Sequence, residues 1–509
     1  LVVALRRALV FTHRWLGIAG GLLFAAWFLS GITMMYARMP RLAAEERLIR
    51  AAPLDVSGIR VSLAEAARNL RGPADRVRIG MLFARPVYRF QGEGRWRTVF
   101  ADNGQPLGSM DETSAIKIAN AFSGSGGAHA AVRLDRPDQW TLEIRQLLPA
   151  YRVDFADAER TTLYVAESTG DVVMRTSRRS RGWAYAGAIV HWLYFTPLRE
   201  RAALWTNVVI WSSLAGCVLC LSGLVWGVWQ VWRARRSPYD GLMRWHHYAG
   251  LVFGAFTLAF VFSGLLSMEP WDWTPGTAPA RAQRDAVAGG SLDLATLTIP
   301  TLQTIARTVA REIPVKEIEL LQFRGRGYAE VYRSPVSENE TTAALGSPGE
   351  VIAPRVPLEH RLVAIDDPTR TLQRFSDAEI VSAARAAMAA VDVRDATWLT
   401  DYDTYYYDRD RRLPLPVLRV RFDDPAQTWL YVDPYRGAII RKEERLTRVN
   451  RWLYRGLHSW DFPGLYRQRP LWDIVVITIS IGGLVAVFSS VPAGVLRLRR
   501  LISARRSQR

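Results

Sequence analysis

The sequence predicts an integral membrane protein with four transmembrane helices in a parallel two-fold internal repeat, carrying two extracytoplasmic α+β domains. Three observations carry that reading. Residues 15–36, 202–232, 248–268 and 474–496 contain no Asp, Glu, Lys or Arg, and each run is long enough to cross a hydrocarbon core of ~30 Å as a helix. The second is where the charge sits. The 509 residues hold 66 Lys and Arg against 48 Asp and Glu, a formal net charge of +18, and twelve of those charges lie in three short segments flanking the apolar runs. Arg6, Arg7 and Arg14 precede the first run. Arg233, Arg235, Arg236 and Arg244, against Asp240, separate the second from the third, and Arg497, Arg499, Arg500, Arg505, Arg506 and Arg509 follow the fourth. By the positive-inside rule, both termini and the middle turn face the cytoplasm.

The third observation is the repeat. His13-Arg-Trp-Leu-Gly17 lines up with His246-His-Tyr-Ala-Gly250 at an offset of 233, which also matches Gly21 to Gly254, Ser30-Gly31 to Ser263-Gly264 and Met35 to Met268. Further on the offset becomes 267: Leu163-Tyr164-Val165 matches Leu430-Tyr431-Val432, Gly170 matches Gly437, His191 matches His458, and Trp205 matches Trp472. Each half runs inside–out–inside in the same sense, so the halves should be related by an axis along the membrane normal, with matched residues at equal depth.

In order, the elements are a cytoplasmic start and first helix (1–39), an outer region (40–200), the second helix (201–232), a cytoplasmic turn (233–245), the third helix (246–268), a second outer region (269–471), the fourth helix (472–496) and a basic tail (497–509). The first helix has a basic start like a signal peptide, but its uncharged run is longer than a usual h-region and no small-residue cleavage site follows, so it reads as retained. In the outer regions, apolar residues three or four apart predict amphipathic helices at 62–70, 113–122, 300–312 and 376–390. Alternating segments predict strands at 96–101, 161–166, 328–333, 416–422 and 428–433, punctuated by Asn103-Gly104, Asp423-Asp424-Pro425 and Asp433-Pro434. A helix followed by strands recurs about twice per region, predicting two small units in each. Residues 181–195, and their counterparts before Pro463-Gly464, predict aromatic, basic helices at the outer interface.

Several function classes drop out. No basic, aromatic-interleaved domain remains to support nucleic-acid binding. Cys217 and Cys220, both inside the second run, can make neither a disulfide framework for the outer regions nor the four ligands of an iron–sulfur cluster, and read as packing residues. Nucleophile and phosphate-loop motifs are absent. None of the apolar runs has an internal charge or a break, which argues against a transporter.

Histidine is scarce: the chain has seven, and four of them, His13, His246, His191 and His458, form two repeat-matched pairs at membrane boundaries. Ionisable residues at such positions are functional candidates. The pairs fall on opposite sides of the bilayer, so each offers two imidazoles, too few for a structural zinc. Two facing imidazoles suit a six-coordinate haem iron, whose macrocycle fills the other four positions. Gly17 and Gly250, one turn after the inner pair, could let a flat porphyrin approach the backbone or simply pack helices closely. Arg14, Arg244 and His247 could meet propionates or serve as topology charges. With no C-x-x-C-H motif, a haem would be non-covalent and b-type, so the expectation is two bis-His b haems.

The segments His13-Arg-Trp-Leu-Gly…Ser30-Gly31, Leu430-Tyr-Val-Asp-Pro-Tyr-Arg-Gly437 and Trp452…Leu457-His458-Ser-Trp-Asp-Phe462 resemble the PepSY-associated transmembrane family, whose members include inner-membrane ferric-siderophore reductases and iron-regulated membrane proteins. The resemblance implies PepSY-like periplasmic domains, a bacterial inner-membrane location and, in the reductases, haem held by helix histidines. It further implies a haem-dependent ferric-siderophore reductase, with a ferric chelate as periplasmic partner and a separate electron donor, since no flavin-reductase domain is present. The alternative it leaves open is a non-redox PepSY-type binding or regulatory protein of the envelope. The mixed acid and phenol stretch 401–410, starting at Asp401, could receive a chelate or form a strand and turn with a buried aromatic face.

Overall fold

The computed structural model describes residues 2–68, 72, 74–124, 126–333, 359–408 and 413–506. It divides into two compact units. One comprises Leu1–Met39, Gly182–Pro275 and Leu446–Arg509, and the other Pro40–Arg181 and Gly276–Arg445.

The first unit holds four helices long and apolar enough to cross a membrane: Val3–Met34, Ala202–Ala234, Leu242–Leu266 and Leu471–Ser503, called here spans 1 to 4. They begin or end beyond the uncharged runs because the basic flanks continue the helix: Arg6, Arg7, Arg233 and Arg497 are all helical. Adjacent packing runs 1–2, 2–3, 3–4 and 4–1, so spans 1 and 3 occupy one diagonal of a four-helix bundle. Phe24, Phe28, Cys217 and Val261 form its buried centre, where Cys217 acts as a small packing residue. Leu22, Trp211 and Trp232 stand outward and are mostly exposed, as a lipid-facing surface requires.

Before spans 2 and 4 the chain does the same thing twice. Helix Arg178–Ala184 passes into one π-helical turn at Tyr185–Ile189, and helix Arg445–Arg451 passes into another at Trp452–Gly456. Helices are therefore present in both predicted segments, but the periodicity of their sequences did not reveal the π turns. Such single turns often mark functional sites, and here His191 and His458 follow directly.

The second unit is α+β. Strands β1 (Arg76–Leu82), β2 (Arg85–Gly92) and β3 (Arg95–Phe100) precede β4 (Ala128–Leu134), β5 (Ala150–Phe155), β6 (Thr162–Ala166) and β7 (Val172–Thr176). After span 3 come β8 (Val315–Phe323), β9 (Arg326–Arg333), β10 (His360–Ala364) and β11 (Asp367–Leu372), then β12 (Val393–Leu399), β13 (Val417–Phe422), β14 (Trp429–Asp433) and β15 (Ala438–Glu443). Each of the regions 40–200 and 269–471 closes one four-stranded antiparallel sheet, β4–β7 or β12–β15. Helix Glu112–Ser123 covers the first through Ala115, Ile118 and Ala119, and helix Asp377–Ala386 covers the second through Ile380, Ala383 and Ala384. Of the four predicted helices the weakest is 62–70: the structure forms only Leu63–Ala66, capped by Ser62, and residues 69 and 70 lie outside the described residues.

The expected second unit of each region is not independent. The remaining strands join in one seven-stranded sheet of order β11-β10-β9-β8-β1-β2-β3. At its centre β1 and β8, one from each of these two regions, pair antiparallel with Arg78 opposite Glu319. Opposite charges facing across such a pair stabilise it, where like charges would repel. Arg47 also makes a bidentate contact with buried Glu317, at 2.7 and 2.8 Å, Arg76 reaches Glu319 at 2.7 Å, and Arg78 and Arg89 meet Asp171 at 2.9 and 3.0 Å. Arg436 meets Glu319 and Glu330 at 3.1 and 3.3 Å, yet burial still pushes the Glu330 carboxyl up to about 7. Beneath the sheet, Ile79, Tyr88, Phe90, Ile318 and Val331 pack on helix Ile299–Ala310 through Leu302, Ile305 and Val309.

Candidate cofactor sites: two histidine pairs

All four repeat-matched histidines belong to the first unit, and the structure brings them together in two pairs. His13 on span 1 and His246 on span 3 meet across the bundle diagonal with ring centroids 6.0 Å apart. His191 and His458, on the two segments after the π turns, meet with centroids 5.8 Å apart. His13 lies 17 residues before Ser30, the contact of His191, so the pairs are separated by ~26 Å along span 1.

Each ring is held through the same atom. Nδ1 of His13 lies 3.1 Å from the carbonyl of Leu219 on span 2, and Nδ1 of His246 lies 2.7 Å from that of Ala486 on span 4. Nδ1 of His191 lies 3.2 Å from the Trp27 carbonyl and 3.1 Å from Ser30 Oγ. Nδ1 of His458 lies 3.1 Å from both the Phe260 carbonyl and Ser263 Oγ. A carbonyl oxygen only accepts, so Nδ1 carries the hydrogen in all four rings. Ser30 and Ser263 donate their own hydroxyls at 2.6 Å to Ala26 and Ala259, so at both the imidazole N–H is the donor and the serine oxygen accepts. The tautomer is thereby fixed with the lone pair on Nε2. Among the described residues none of these four Nε2 atoms has a hydrogen-bond partner.

This is how a metal-ligating histidine is prepared: the other ring nitrogen donates to a carbonyl, which sets tautomer and orientation. Two imidazoles bound to opposite sides of one metal through Nε2, with bonds of about 2.0–2.1 Å, place their centroids roughly 6 Å apart. Both pairs fit that spacing. Among the described residues no cluster of three or more His, Cys, Asp or Glu side chains could hold a metal, so any ion between these rings needs its other ligands from the cofactor. The residues present fit a haem.

The remaining predicted site residues separate cleanly. A Cβ at Gly17 would meet nothing closer than Leu219 at 3.7 Å, and one at Gly250 would face open space. Arg14 makes no ion pair among the described residues, whereas Arg244 is committed to Asp240 and donates to the Tyr239 carbonyl at 3.0 Å. His247 is buried and both its nitrogens are used: Nε2–H donates to Gly227 O at 3.2 Å and Nδ1 accepts from Ser237 Oγ at 2.8 Å. It therefore ties the turn between spans 2 and 3 and has no lone pair to offer. In 401–410 the described residues form a loop with a buried aromatic face. Tyr402 and Tyr406 donate to Leu413 and Pro414 carbonyls at 2.6 and 2.7 Å, and Tyr406 stacks on Tyr431 at 4.8 Å; residues 409 and 410 lie outside the described residues.

Sequence reasoning missed five contributors. Ser30 and Ser263 stood out as repeat matches, but no role was visible for them. The carbonyls of Leu219 and Ala486 carry no side-chain signal at all. Gly223 is the fifth: a Cβ there would lie 2.5 Å from the His13 ring, so this glycine admits the imidazole against span 2.

Fold and site together define a membrane protein with a four-helix bundle, two pairs of metal-ready histidines and a separate β-sheet unit. A family model described as the PepSY-associated TM region matches residues 11–309, more than half of the chain, and the protein belongs to that family. The match covers His13, His191 and His246; the motifs at 430–437 and 452–462 lie beyond it. Among curated proteins no match is found.

Proposed function

We propose that the chain is a di-haem b electron-transfer protein of the bacterial inner membrane that reduces a ferric chelate, such as a ferric siderophore, in the periplasm. The observation that carries this reading is the set of four histidines with Nδ1 tied to a carbonyl and Nε2 left unpartnered, in two pairs spaced for one metal each. Haem, when bound, supplies one-electron chemistry that no side chain here offers.

The residues divide the work of holding it. His13 and His246 would hold one haem and His191 and His458 the other. Leu219, Ala486, Trp27 and Phe260 lock the rings through their carbonyls, and hydrogen bonds of this kind raise ligand basicity and so tune the iron. Arg14 is the basic group left to meet a propionate at the first pair. Span side chains exclude water between the pairs, through Phe24, Phe28 and Val261.

The parallel repeat and the orientation belong to the same proposal. The matched contacts of Ser30 with His191 and of Ser263 with His458 support the repeat. The basic flanks support cytoplasmic termini, with the β-sheet unit periplasmic. On that arrangement the His13/His246 pair faces the donor side, and the His191/His458 pair faces the chelate.

The test is optical. Purified full-length protein should show a reduced–oxidised Soret shift, and a pyridine haemochrome assay should give two b haems per chain. A colourless protein that stays colourless when haem is added would overturn the reading. Reporter fusions after Met39, Asp240 and Met268 should read outside, inside and outside.

A further inference from the structure

The end of the bundle that carries the basic segments has a feature the histidine pairs do not use. Leu224, Val225, Val228, Trp229 and Trp232 line an open, almost wholly apolar groove of about 440 Å³. All five lie on span 2 at helical spacing, so the groove is a stripe along one face of that helix, running ~12 Å from Leu224 to Trp232. That is less than half of a ~30 Å hydrocarbon core. Its length suits the part of one acyl chain nearest the headgroup.

What distinguishes this stripe from ordinary lipid-facing surface is the charge gathered at its Trp229 end. Trp229 stacks on Trp226 with centroids 5.1 Å apart. The Arg6 guanidinium, from span 1, lies 5.4 Å from the Trp226 ring and 5.6 Å from the Trp229 ring. Arg233 lies 5.4 Å from the same Trp229 ring. Two guanidiniums thus converge on one indole, no more than about 11 Å apart, and neither has an ion pair among the described residues. Cation–π contact holds each in place but leaves its charge uncompensated. Guanidinium forks match phosphate oxygens in geometry as well as charge.

We infer that this is a binding site for an anionic glycerophospholipid, whose phosphate lies between Arg6 and Arg233 over Trp229 and whose acyl chain lies along Leu224, Val225 and Val228. The charge selects the occupant. A quinone would fill the apolar stripe equally well but bring no anion, and a zwitterionic lipid would bring its phosphate with a tethered ammonium that cancels the charge, so a headgroup of net negative charge is the one that offsets the arginines. Basic residues at the ends of transmembrane helices recognise acidic headgroups in this way. Span 2 also supplies Gly223 and the Leu219 carbonyl to His13, so the lipid would brace the helix that seats that ring.

The probe is dioleoyl phosphatidylglycerol in equimolar competition with dioleoyl phosphatidylcholine, with the full chain purified from mixed vesicles and its retained lipid counted by native mass spectrometry. The wild type should keep one phosphatidylglycerol in preference to phosphatidylcholine. The double variant R6Q/R233Q should lose that preference by at least about tenfold, given the contribution of a basic residue near a membrane surface. The control R235Q/R236Q removes the same charge from the same end and should stay within about twofold of wild type. Should the first variant fail to fold, Val228→Trp fills the groove with both arginines intact and should expel the lipid. Equal losses in R6Q/R233Q and R235Q/R236Q would reduce the site to diffuse basic attraction and overturn it. So would equal retention of both lipids by the wild type, or an undiminished phosphatidylglycerol count in the Val228→Trp protein.

Discussion

The two histidine pairs are built from opposite parts of the bundle. In the pair His13/His246 the spans carry the imidazoles, spans 1 and 3, and the other two spans hold them through Leu219 and Ala486. In the pair His191/His458 the connecting segments carry the imidazoles, and spans 1 and 3 hold them through Trp27 and Phe260. Each ring of the first pair has one acceptor in continuous helix. Each ring of the second has two, a carbonyl and a serine, but its backbone is a short helical stretch just after a π turn rather than an uninterrupted span. The same Nδ1 chemistry is thus reached by rigidity in one place and by extra hydrogen bonding in the other.

The largest effects should come from the imidazoles themselves, and they should be confined to one pair. His458→Ala should leave one haem per chain instead of two, and it should abolish oxidation of that haem by an external ferric chelate in oriented vesicles. His13→Ala should also leave one haem, but a chemically reduced one that external chelate still oxidises. Single-turnover mixing of each variant decides it: unimpaired oxidation in the His458 variant would sink the assignment of roles to the two pairs.

Next comes packing against the first pair. Gly223→Val puts carbon where the His13 ring lies, since even a Cβ would stand 2.5 Å from it. The counterpart positions at the second pair are looser: a Cβ at Gly31 or Gly264 would stand 3.4 or 3.6 Å from the His191 or His458 ring. Gly223→Val should therefore cost the first haem, or convert it to high spin, while Gly31→Ala alters the second only slightly. Magnetic circular dichroism separates the two spin states, and equal damage from both substitutions would erase the proposed asymmetry in packing.

How much of this could be seen without coordinates depends on range. The four spans follow from runs without charge, a property read locally. The pairing of His13 with His246 and of His191 with His458 followed from the sequence repeat, because matched positions were expected to share a depth. The seam between β1 and β8 did not: strands from regions more than two hundred residues apart pair there, and Arg78 and Glu319 look like ordinary alternating charges until they face each other. The π turns were hidden because one extra residue in a helical turn leaves no compositional mark. His247 was distinguished from His246 only by the register of the glycine and serine matches, whereas Ser237, its partner from the turn, carried no signal.

Hydrogen bonding to the rings should produce a smaller effect, and only at the second pair. Removing the serine acceptor by Ser30→Ala or Ser263→Ala leaves the carbonyl in place, so ligation should survive. The loss is one hydrogen bond per ring, about 0.5–1.5 kcal/mol. A less strongly polarised imidazole is a poorer donor to iron, so the midpoint potential of one haem should rise by a few tens of millivolts while the other stays fixed. Potentiometric titration with both haems followed separately checks this. Movement of both potentials together would mean that the serines act through the bundle rather than through their own rings.

The smallest effect on haem should be that of His247→Ala. Both nitrogens of His247 are occupied by Gly227 and Ser237, and its ring meets Tyr239 edge-on with centroids 5.4 Å apart, so its role is to fasten the turn between spans 2 and 3. The variant leaves a buried carbonyl and a serine hydroxyl without their partner, a penalty of about 1–3 kcal/mol for each group that water cannot reach. Thermal stability in detergent should fall accordingly, while haem content stays at two and the spectrum is unchanged. His246→Ala should do the reverse, emptying one site with little change in the melting of the protein prepared without haem. If instead His247→Ala empties a site and His246→Ala does not, the ligand is the neighbouring residue. The diagonal pairing of spans 1 and 3 would then have to be reached by a ring that now points at span 2.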